Sequence, residues 1–278
     1  MRRCAAPSSG SGLTDMPKVA IVAALEREVS GLTRSLSRVE HQYDGRRFVF
    51  FEADEIVLVC GGIGVEAARR AAEAVIALYS PTLLQSVGFA GALDSGLRVG
   101  DLLMPAIVID ARDGSRIEIE GAPGLERGRQ GRSSLVTFTS VAGAQQKASL
   151  AKAYGAQAVD MEAAGVAAAA RAHGIRFAAT KVISDELDFE MPQTARFIAA
   201  NGRFKTANFA AFVALRPWLW RRTATLAANS RKAARVLSEH LKHYRQELNR
   251  SPSPVAASPA TAEPQPAAAG GSHVGGRE

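Results

Sequence analysis

The chain has 278 residues, a formal net charge of +7 and 6% aromatic residues, which predicts one ordinary domain with an aliphatic core plus additional sequence. Its two cysteines are too few for a disulfide framework or a cysteine-based metal site, and no run approaches the roughly 20 apolar residues of a membrane span. Much of the positive charge lies in residues 216–250. The excess of basic residues is therefore a property of this segment and does not indicate that the folded domain binds nucleic acid. A cytoplasmic protein without metal or organic cofactor is expected.

The composition divides the chain into four segments. Residues 1–15 are predicted to be a disordered leader, 16–215 a folded domain, 216–249 a basic amphipathic helix and 250–278 a disordered tail. Pro217 suits the first position of that long helix. The helix carries one stripe of apolar residues: Leu219, Leu226, Ala233, Leu237, Leu241, Tyr244 and Leu248.

The domain opens with a strand followed directly by a helix. Residues 18–24 form an apolar, β-branched run typical of a buried strand, and a helix begins at Leu25. Glu26 and Glu28 then fall in the first helical turn, where the helix dipole favours acids. By position alone, Glu28 is open to two interpretations: stabilisation of the start of the helix, or a role in function.

A glycine-rich loop follows two strands predicted over Arg47–Glu52 and Glu55–Cys60. The sequence from Cys60 to Ala67 fits the G-x-G-x-x-A form of a dinucleotide-binding loop, which keeps a dehydrogenase as a distant alternative. The next strand, Thr82–Gly88, ends in Gly-Phe-Ala-Gly and lacks the acid that would bind a ribose of the dinucleotide. The loop is therefore interpreted as a place where the backbone approaches a small ligand.

Between this loop and the central stretch, the sequence predicts a strand from about residue 102 to 110. A polar loop over 112–132, a strand over 135–139 and a helix over 145–154 that ends at Gly155 follow.

The stretch from residue 158 to 188 carries the residues with the clearest chemistry. Asp160-Met161-Glu162 enters an Ala-rich helix, which ends at His173-Gly174. An apolar strand over 177–183 then delivers Ser184-Asp185 to its carboxyl end, where ligands bind in open α/β sheets. Two carboxylates facing one cleft suit the binding of a polyol and the protonation of a leaving group. The alternative is that both are structural, with Glu162 as an acid at the start of a helix and Asp185 as a cap at the end of a strand.

Three separated pieces of the chain resemble the nucleoside phosphorylase superfamily, most closely its methylthioadenosine/S-adenosylhomocysteine nucleosidases. The resemblance covers roughly residues 17–215 and implies a three-layer αβα fold with a central mixed sheet, acting as a homodimer. Its motifs are Val19–Val29, the glycine segments 61–64, 88–93 and 99–101, and Val159–Ala164 with Ile183–Asp185.

The resemblance implies roles for the acids. Asp185 would protonate N7 of a purine, and Glu162 would accept hydrogen bonds from the ribose hydroxyls with Met161 against the sugar. Glu28 would deprotonate the attacking water. The remaining residues expected at the substrate are Val141, Phe89, Ala90, Gly91, Ser184 and Lys181.

Three of these positions depart from the family pattern. Phe89 stands where the family has a Ser or Thr hydroxyl, and Lys181 stands where the nucleosidases have Arg, although a lysine can still bind an anion. The segment around Val141 lacks the aromatic residue that stacks on the purine. The missing hydroxyl at Phe89 disfavours phosphorolysis. Without the stacking aromatic residue, the sequence does not identify the substrate.

The C-terminal segment is similar to hopanoid-associated phosphorylase-like proteins, which are linked to adenine release from adenosylhopane. The basic helix, with Trp218 and Trp220 near its start, is expected either to rest on an anionic membrane or to pack its stripe on the domain or a second subunit.

The sequence therefore predicts hydrolysis of the N-glycosidic bond of a 5′-substituted adenosine. The alternatives are a phosphorolytic purine nucleoside phosphorylase and a non-catalytic nucleoside-binding or membrane-peripheral protein.

Overall fold

A computed structural model of the chain describes residues 19–119, 133–199 and 201–250. The predicted leader, the tail beyond Arg250 and most of the predicted loop over 112–132 lie outside these residues.

The strands of the described chain belong to a single sheet, and helices interrupt their order at several points. The strands are β1 (Val19–Ala23), β2 (Ser37–Tyr43), β3 (Arg46–Ala53), β4 (Ile56–Cys60), β5 (Leu83–Ala92), β6 (Leu102–Leu103), β7 (Ile107–Asp110), β8 (Arg116–Glu118), β9 (Ser134–Thr137), β10 (Ala158–Asp160) and β11 (Arg176–Asp185). The helices are α1 (Glu26–Thr33), α2 (Val65–Tyr79), α3 (Ala144–Tyr154), α4 (Ala163–Ala172), α5 (Thr206–Ala214) and α6 (Pro217–Arg250).

The sheet is mixed and is organised around β5. Its order is β2-β3-β4-β1-β5-β10-β9-β7-β8, and β11 pairs with both β5 and β6. The first half of β5 lies parallel to β1, whereas its last residues lie antiparallel to β10. Because β11 runs parallel to β5 along most of its length, β1, β5 and β11 all direct their carboxyl ends to the same edge.

Helices cover both faces of the sheet. In β1, Ala20 and Val22 belong to the apolar cluster that includes α2 and α4. Ile21 and Ala23 belong to the cluster on the other face, with α1 and α6. This alternation, together with small side chains in α2 and α4, produces the three-layer αβα architecture with a central mixed sheet and confirms the fold predicted from the sequence.

The observed strands differ from the predicted ones in four places. β8 lies at the start of the segment predicted as a polar loop over 112–132, and it was not predicted because its mostly exposed residues carry no apolar run. β2 was not predicted because its residues are mostly exposed and polar, so it has no apolar alternation. β5 continues through the glycines from Gly88 to Ala92, where the prediction ended the strand at Gly88. The strand predicted to end at Asp110 is interrupted between β6 and β7, at a segment that contains Pro105.

The long C-terminal helix α6 has two halves with different surroundings. In its second half, Ala233, Leu237, Leu241 and Tyr244 are fully buried against α1 and β11. Gly31 allows the close approach of α1, because a Cβ there would lie 2.5 Å from the Cβ of Ser238. The apolar stripe thus packs on the domain over this half, whereas the first half is largely exposed. No described helix has a stretch long and apolar enough to cross a membrane.

Candidate active site

A cavity of about 530 Å³ opens at the edge where β1, β5 and β11 end. This volume lies within the range of roughly 300–1,000 Å³ that is usual for small-molecule sites. The polar part of its lining contains Arg27, Glu28, Ser140, Lys147, Asp160, Glu162, Ser184, Asp185, Thr194, Thr206, Thr223, Ser230 and Arg231.

The cavity brings together the acids that the sequence analysis selected. Glu28 comes from the first turn of α1, Glu162 immediately precedes α4, and Asp185 is the last residue of β11. Except for Lys181, every residue expected at the substrate lines the cavity; the others are Met161, Val141, Phe89, Ala90, Gly91 and Ser184.

Two glycines of β5 make room for two of these carboxylates. A Cβ on Gly88 would lie 2.8 Å from Glu28 Oε2, and a Cβ on Gly91 would lie 2.9 Å from Asp185 Oδ2. Gly88 also has φ +152°, which L side chains rarely adopt. Since three residues of a strand span about 10 Å, Glu28 and Asp185 approach β5 at two points about that far apart along the strand.

Lys181 is buried and is not part of the cavity lining, but its positive charge offsets part of the negative charge of the nearby acids. Its Nζ forms an ion pair with Asp160 Oδ2 at 2.8 Å and donates to Ser86 Oγ at 3.1 Å. Asp160 also accepts from Thr137 Oγ1 at 2.7 Å and from the amide of Ala163 at 2.8 Å. In the sequence Asp160 stood out only as part of a motif, and this pairing was not predicted.

Glu162 is held by backbone amides on two sides. Gly64 N–H donates to its Oε1 at 3.0 Å, and Met161 N–H donates to its Oε2 at 3.2 Å. The glycine-rich loop that resembled a dinucleotide-binding loop therefore supports a carboxylate here. Burial, and next the charge of Asp160, raise the pKa of Glu162 to about 7, although Lys181 and the two amides act in the opposite direction.

Glu28 is the most strongly perturbed acid in the cavity. Burial, and next the charge of Glu162, raise its pKa from 4.5 to about 8, while Lys181 and Arg27 partly oppose this increase. Its Oε2 is buried and makes no hydrogen bond to any described residue. A buried carboxyl with a free oxygen and a pKa near neutrality has the properties of a general base for a bound water.

Asp185 is surrounded by donors at the other end of the cavity. Ser184 Oγ donates to its Oδ1 at 2.7 Å, and the ammonium of Lys147 contacts its Oδ2. Lys147 was not selected from the sequence. The available signal was its i, i+3 spacing from Leu150, since these are the two buried residues of α3.

The region beyond the acids is mostly apolar. Ser140, Val141 and Ala142 lie in the lining, which also contains the aromatic rings of Phe89, Phe204 and Phe209. The wall formed by α5, α6 and the segment before α5 was not predicted. Its apolar members are Met191, Ile198, Phe204, Phe209, Leu226, Ala227 and Ala234.

No group of three or more His, Cys, Asp or Glu side chains within residues 19–119, 133–199 and 201–250 could hold a metal ion. The chemistry that the described side chains support is acid–base: a donor-rich carboxylate at one end, a carboxyl with a free oxygen at the other, and Glu162 among the residues that line the space.

Replacing Glu28 by Gln is expected to stabilise the protein by an amount that grows as pH rises from about 4.5 to 8. The unfolded chain loses this proton near pH 4.5, whereas the folded chain keeps it until about pH 8, so stability falls as pH rises between these values. Glu28→Gln removes this loss, and we expect the free energy of unfolding to rise by on the order of 5 kcal/mol at pH 9 and by no more than about 1 kcal/mol at pH 5.

Urea denaturation at both pH values measures this difference, and Glu26→Gln, an exposed residue of the same helix, is the matched control. An equal effect of Glu28→Gln at pH 5 and pH 9 would contradict the raised pKa.

Comparisons with known proteins agree with this fold. A 5′-methylthioadenosine/S-adenosylhomocysteine nucleosidase from Halalkalibacterium halodurans is 37% identical over 94 residues, which are 31% of this chain and 39% of that protein. The chain thus spans about two fifths of the length of this relative.

Among solved structures, the apo 5′-methylthioadenosine nucleosidase of Arabidopsis thaliana has a TM-score of 0.64 at 18% identity, covering 85% of this chain and 97% of that one. Futalosine hydrolase from Helicobacter pylori has a TM-score of 0.60 at 20% identity, covering 84% and 98%. At these identities the two structures show a shared fold.

The family model described as the phosphorylase superfamily matches residues 18–133 and 129–215, which together make up more than half of the sequence. The chain therefore belongs to the phosphorylase superfamily, as its motifs indicated.

Proposed function

We propose that this protein hydrolyses the N-glycosidic bond of a 5′-substituted adenosine and releases adenine. The observation that carries the proposal is the meeting of Glu28, Glu162 and Asp185 around one cavity. The curated relative that matches part of the chain is named a 5′-methylthioadenosine/S-adenosylhomocysteine nucleosidase, which agrees with this assignment.

Each acid has one task in the proposed reaction. Asp185 presents a proton to N7 of the purine, so that the base leaves as a neutral molecule. Glu162 accepts hydrogen bonds from the ribose hydroxyls, and Glu28 takes a proton from the water that attacks C1′. The charges of Glu28 and Glu162 repel each other, since Glu162 raises the pKa of Glu28. A cationic sugar between them relieves this repulsion, which stabilises the transition state.

Water suits this site better than phosphate as the nucleophile. Phe89 supplies no hydroxyl, and the ammonium of Lys181 is already paired with Asp160. A phosphate next to C1′ would also lie beside the carboxyl groups of Glu28 and Glu162, which repel an anion. Phosphorolysis is therefore the alternative and hydrolysis the proposal.

The first experiment measures adenine release from methylthioadenosine and S-adenosylhomocysteine, with and without phosphate. We expect release that does not require phosphate and a loss of about 10²–10⁴-fold in kcat for Asp185→Asn. A requirement for phosphate would assign the protein to the phosphorylases. Binding of substrate without release, unchanged by Asp185→Asn or Glu162→Gln, would indicate a non-catalytic nucleoside-binding protein.

The 5′ substituent is proposed to be large and apolar, as in adenosylhopane. The α5–α6 wall supports this, because it extends the cavity beyond the acids with apolar side chains such as Phe209 and Leu226. Burying an apolar chain on this wall contributes about 0.8 kcal/mol per methylene group.

Leu226→Gln is expected to raise KM for 5′-decylthioadenosine by at least about 10-fold and to change KM for methylthioadenosine little, because only the longer chain reaches the wall. Leu219→Gln is the matched control, since Leu219 is a half-buried leucine of the same helix outside the cavity lining. Equal effects on the two substrates would remove the proposed role of α6.

We also propose that the start of α6 binds an anionic membrane surface. Leu215, Trp218 and Trp220 are exposed by 78%, 71% and 55%. Between Glu190 and Glu239 the sequence contains no acid. The cations of this interval are Arg196, Arg203, Lys205, Arg216, Arg221, Arg222, Arg231, Lys232 and Arg235. Exposed tryptophans beside arginines suit the interface of a membrane that contains anionic lipids.

Flotation with vesicles of phosphatidylcholine and phosphatidylglycerol tests this surface in the full chain. The variant Trp218→Ser/Trp220→Ser is expected to lose most of the binding, whereas Leu78→Ser, an exposed leucine of α2, is expected to retain it. Vesicles of phosphatidylcholine alone are expected to bind less. Equal flotation of both variants would contradict the proposal, and a mass in solution that falls only in the tryptophan variant would assign the surface to a second copy of the chain. The homodimer and the cytoplasmic location stay predictions.

A further inference from the structure

Lys147 occupies an unusual place for a lysine. It is 1% exposed, although it lies on α3, where most residues face solvent. Its side chain passes beside β5, because a Cβ on Gly91 would lie 3.0 Å from Lys147 Cε. The side chain reaches the cavity and ends at Asp185. A buried lysine at a proposed catalytic carboxylate needs an explanation, because burying an ammonium group is costly unless it is paired.

The ammonium of Lys147 has an acceptor for each of its N–H groups. It contacts the Oδ2 atom of Asp185, donates to the carbonyl of Glu186 at 2.6 Å and lies 3.5 Å from the carbonyl of Asp185. On the other side, Ser184 Oγ donates to Asp185 Oδ1 at 2.7 Å. Both oxygens of Asp185 therefore accept hydrogen bonds, as the oxygens of an ionised carboxylate do.

This arrangement raises a question about the proposed reaction. N7 of a purine is an acceptor and needs a proton as the glycosidic bond breaks, but an ionised carboxylate has none to give. The nearest proton on an acid is the one that Lys147 already directs at Asp185. Building on the proposed function, we propose that Lys147 supplies the proton that Asp185 passes to the leaving purine.

The step balances in protons and electrons. The electron pair of the C1′–N9 bond goes to the purine, a proton moves from Lys147 Nζ to Asp185, and Asp185 passes this proton on to N7. Water forms its bond to C1′ and loses a proton to Glu28. At the end Lys147 is a neutral amine and Glu28 a neutral acid, and a proton that returns through solvent restores both as the products leave. Lys147 thus acts through Asp185: it positions the carboxylate and supplies the proton that the carboxylate transfers.

A purely structural role makes a different prediction for one substitution. Arginine keeps the positive charge and can hold a carboxylate, but it does not give up a proton in proteins. A lysine that only holds Asp185 in place is replaced well by Arg, whereas a lysine that supplies the proton is not.

The test compares Lys147→Arg and Lys147→Met with the wild type, using methylthioadenosine as substrate. Lys152→Arg and Lys152→Met, at an exposed lysine of the same helix, are the matched controls. We expect both Lys147 variants to lose at least about 100-fold in kcat, the lower end of what general acid catalysis contributes. A second substrate, the 4-nitrophenyl glycoside of 5-methylthioribose, has a leaving group that needs no proton, and we expect the Lys147 variants to retain most of the turnover on it.

Three results would overturn the inference. Lys147→Arg with wild-type kcat on methylthioadenosine would leave only the role of holding Asp185, and equal losses on both substrates would indicate structural damage. An absence of adenine release by the wild type would contradict this inference together with the proposed function.

If both variants fail to fold, the wild type still gives an answer. Its kcat on methylthioadenosine is measured in mixtures of H₂O and D₂O. We expect a curved dependence on the deuterium fraction, because more than one proton moves in the step. With the nitrophenyl substrate we expect less curvature. The same dependence for both substrates would contradict the proton relay.

Discussion

The ammonium group of Lys181 is the interaction on which the acidic cavity depends. It pairs with Asp160 at 2.8 Å, and its charge lowers the pKa values of Glu28 and Glu162, which burial raises. Burial by itself would lower the pKa of Lys181, but the surrounding acids raise it above its ordinary value. Isolated buried charges cost several kcal/mol each, and the buried cations beside these acids, Lys181 at Asp160 and Lys147 at Asp185, offset part of that cost.

The backbone of β5 provides the second constraint. Its glycines stand where Glu28, Asp185 and Lys147 approach the strand, and a side chain at Gly88 or Gly91 would meet those groups at 3.0 Å or less. At the same place β5 changes partners, from β1 on one side to β10 at its end. The strand therefore supports the site by having no side chain at Gly88 and Gly91, and it brings the ends of β1 and β11 together through its pairing.

Helix α6 links the proposed substrate specificity to the stability of the fold. Leu237 and Tyr244 in its second half are part of the core, whereas Leu226 in its first half lines the cavity. Removing the helix would expose the apolar surface of α1 and β11 as well as open one wall of the cavity. For this reason point substitutions separate the roles of α6 better than truncation does. The same helix presents Trp218 and Trp220 to the outside.

Much of the fold and part of the site follow from local sequence. Apolar runs define β1, β4, β5 and β11, because a strand buried on both faces needs consecutive apolar residues. The turn at which each run ends then places Glu28, Glu162 and Asp185 near the ends of strands. These acids could therefore be predicted from their positions in the sequence and from the family resemblance. β2 escaped prediction because an exposed edge strand carries no such run.

The partners of the acids were decided by the tertiary structure alone. Lys147 and Lys152 look alike in the sequence of α3, yet one is buried against Asp185 and the other faces solvent. The pairing of Lys181 with Asp160 and the wall that α6 adds to the cavity also join segments that are distant in the chain. Periodicity reports whether a residue faces a core, but it does not report which distant residue it meets there. The sequence therefore determined the strands and the carboxylates, and packing determined which cations and which apolar wall surround them.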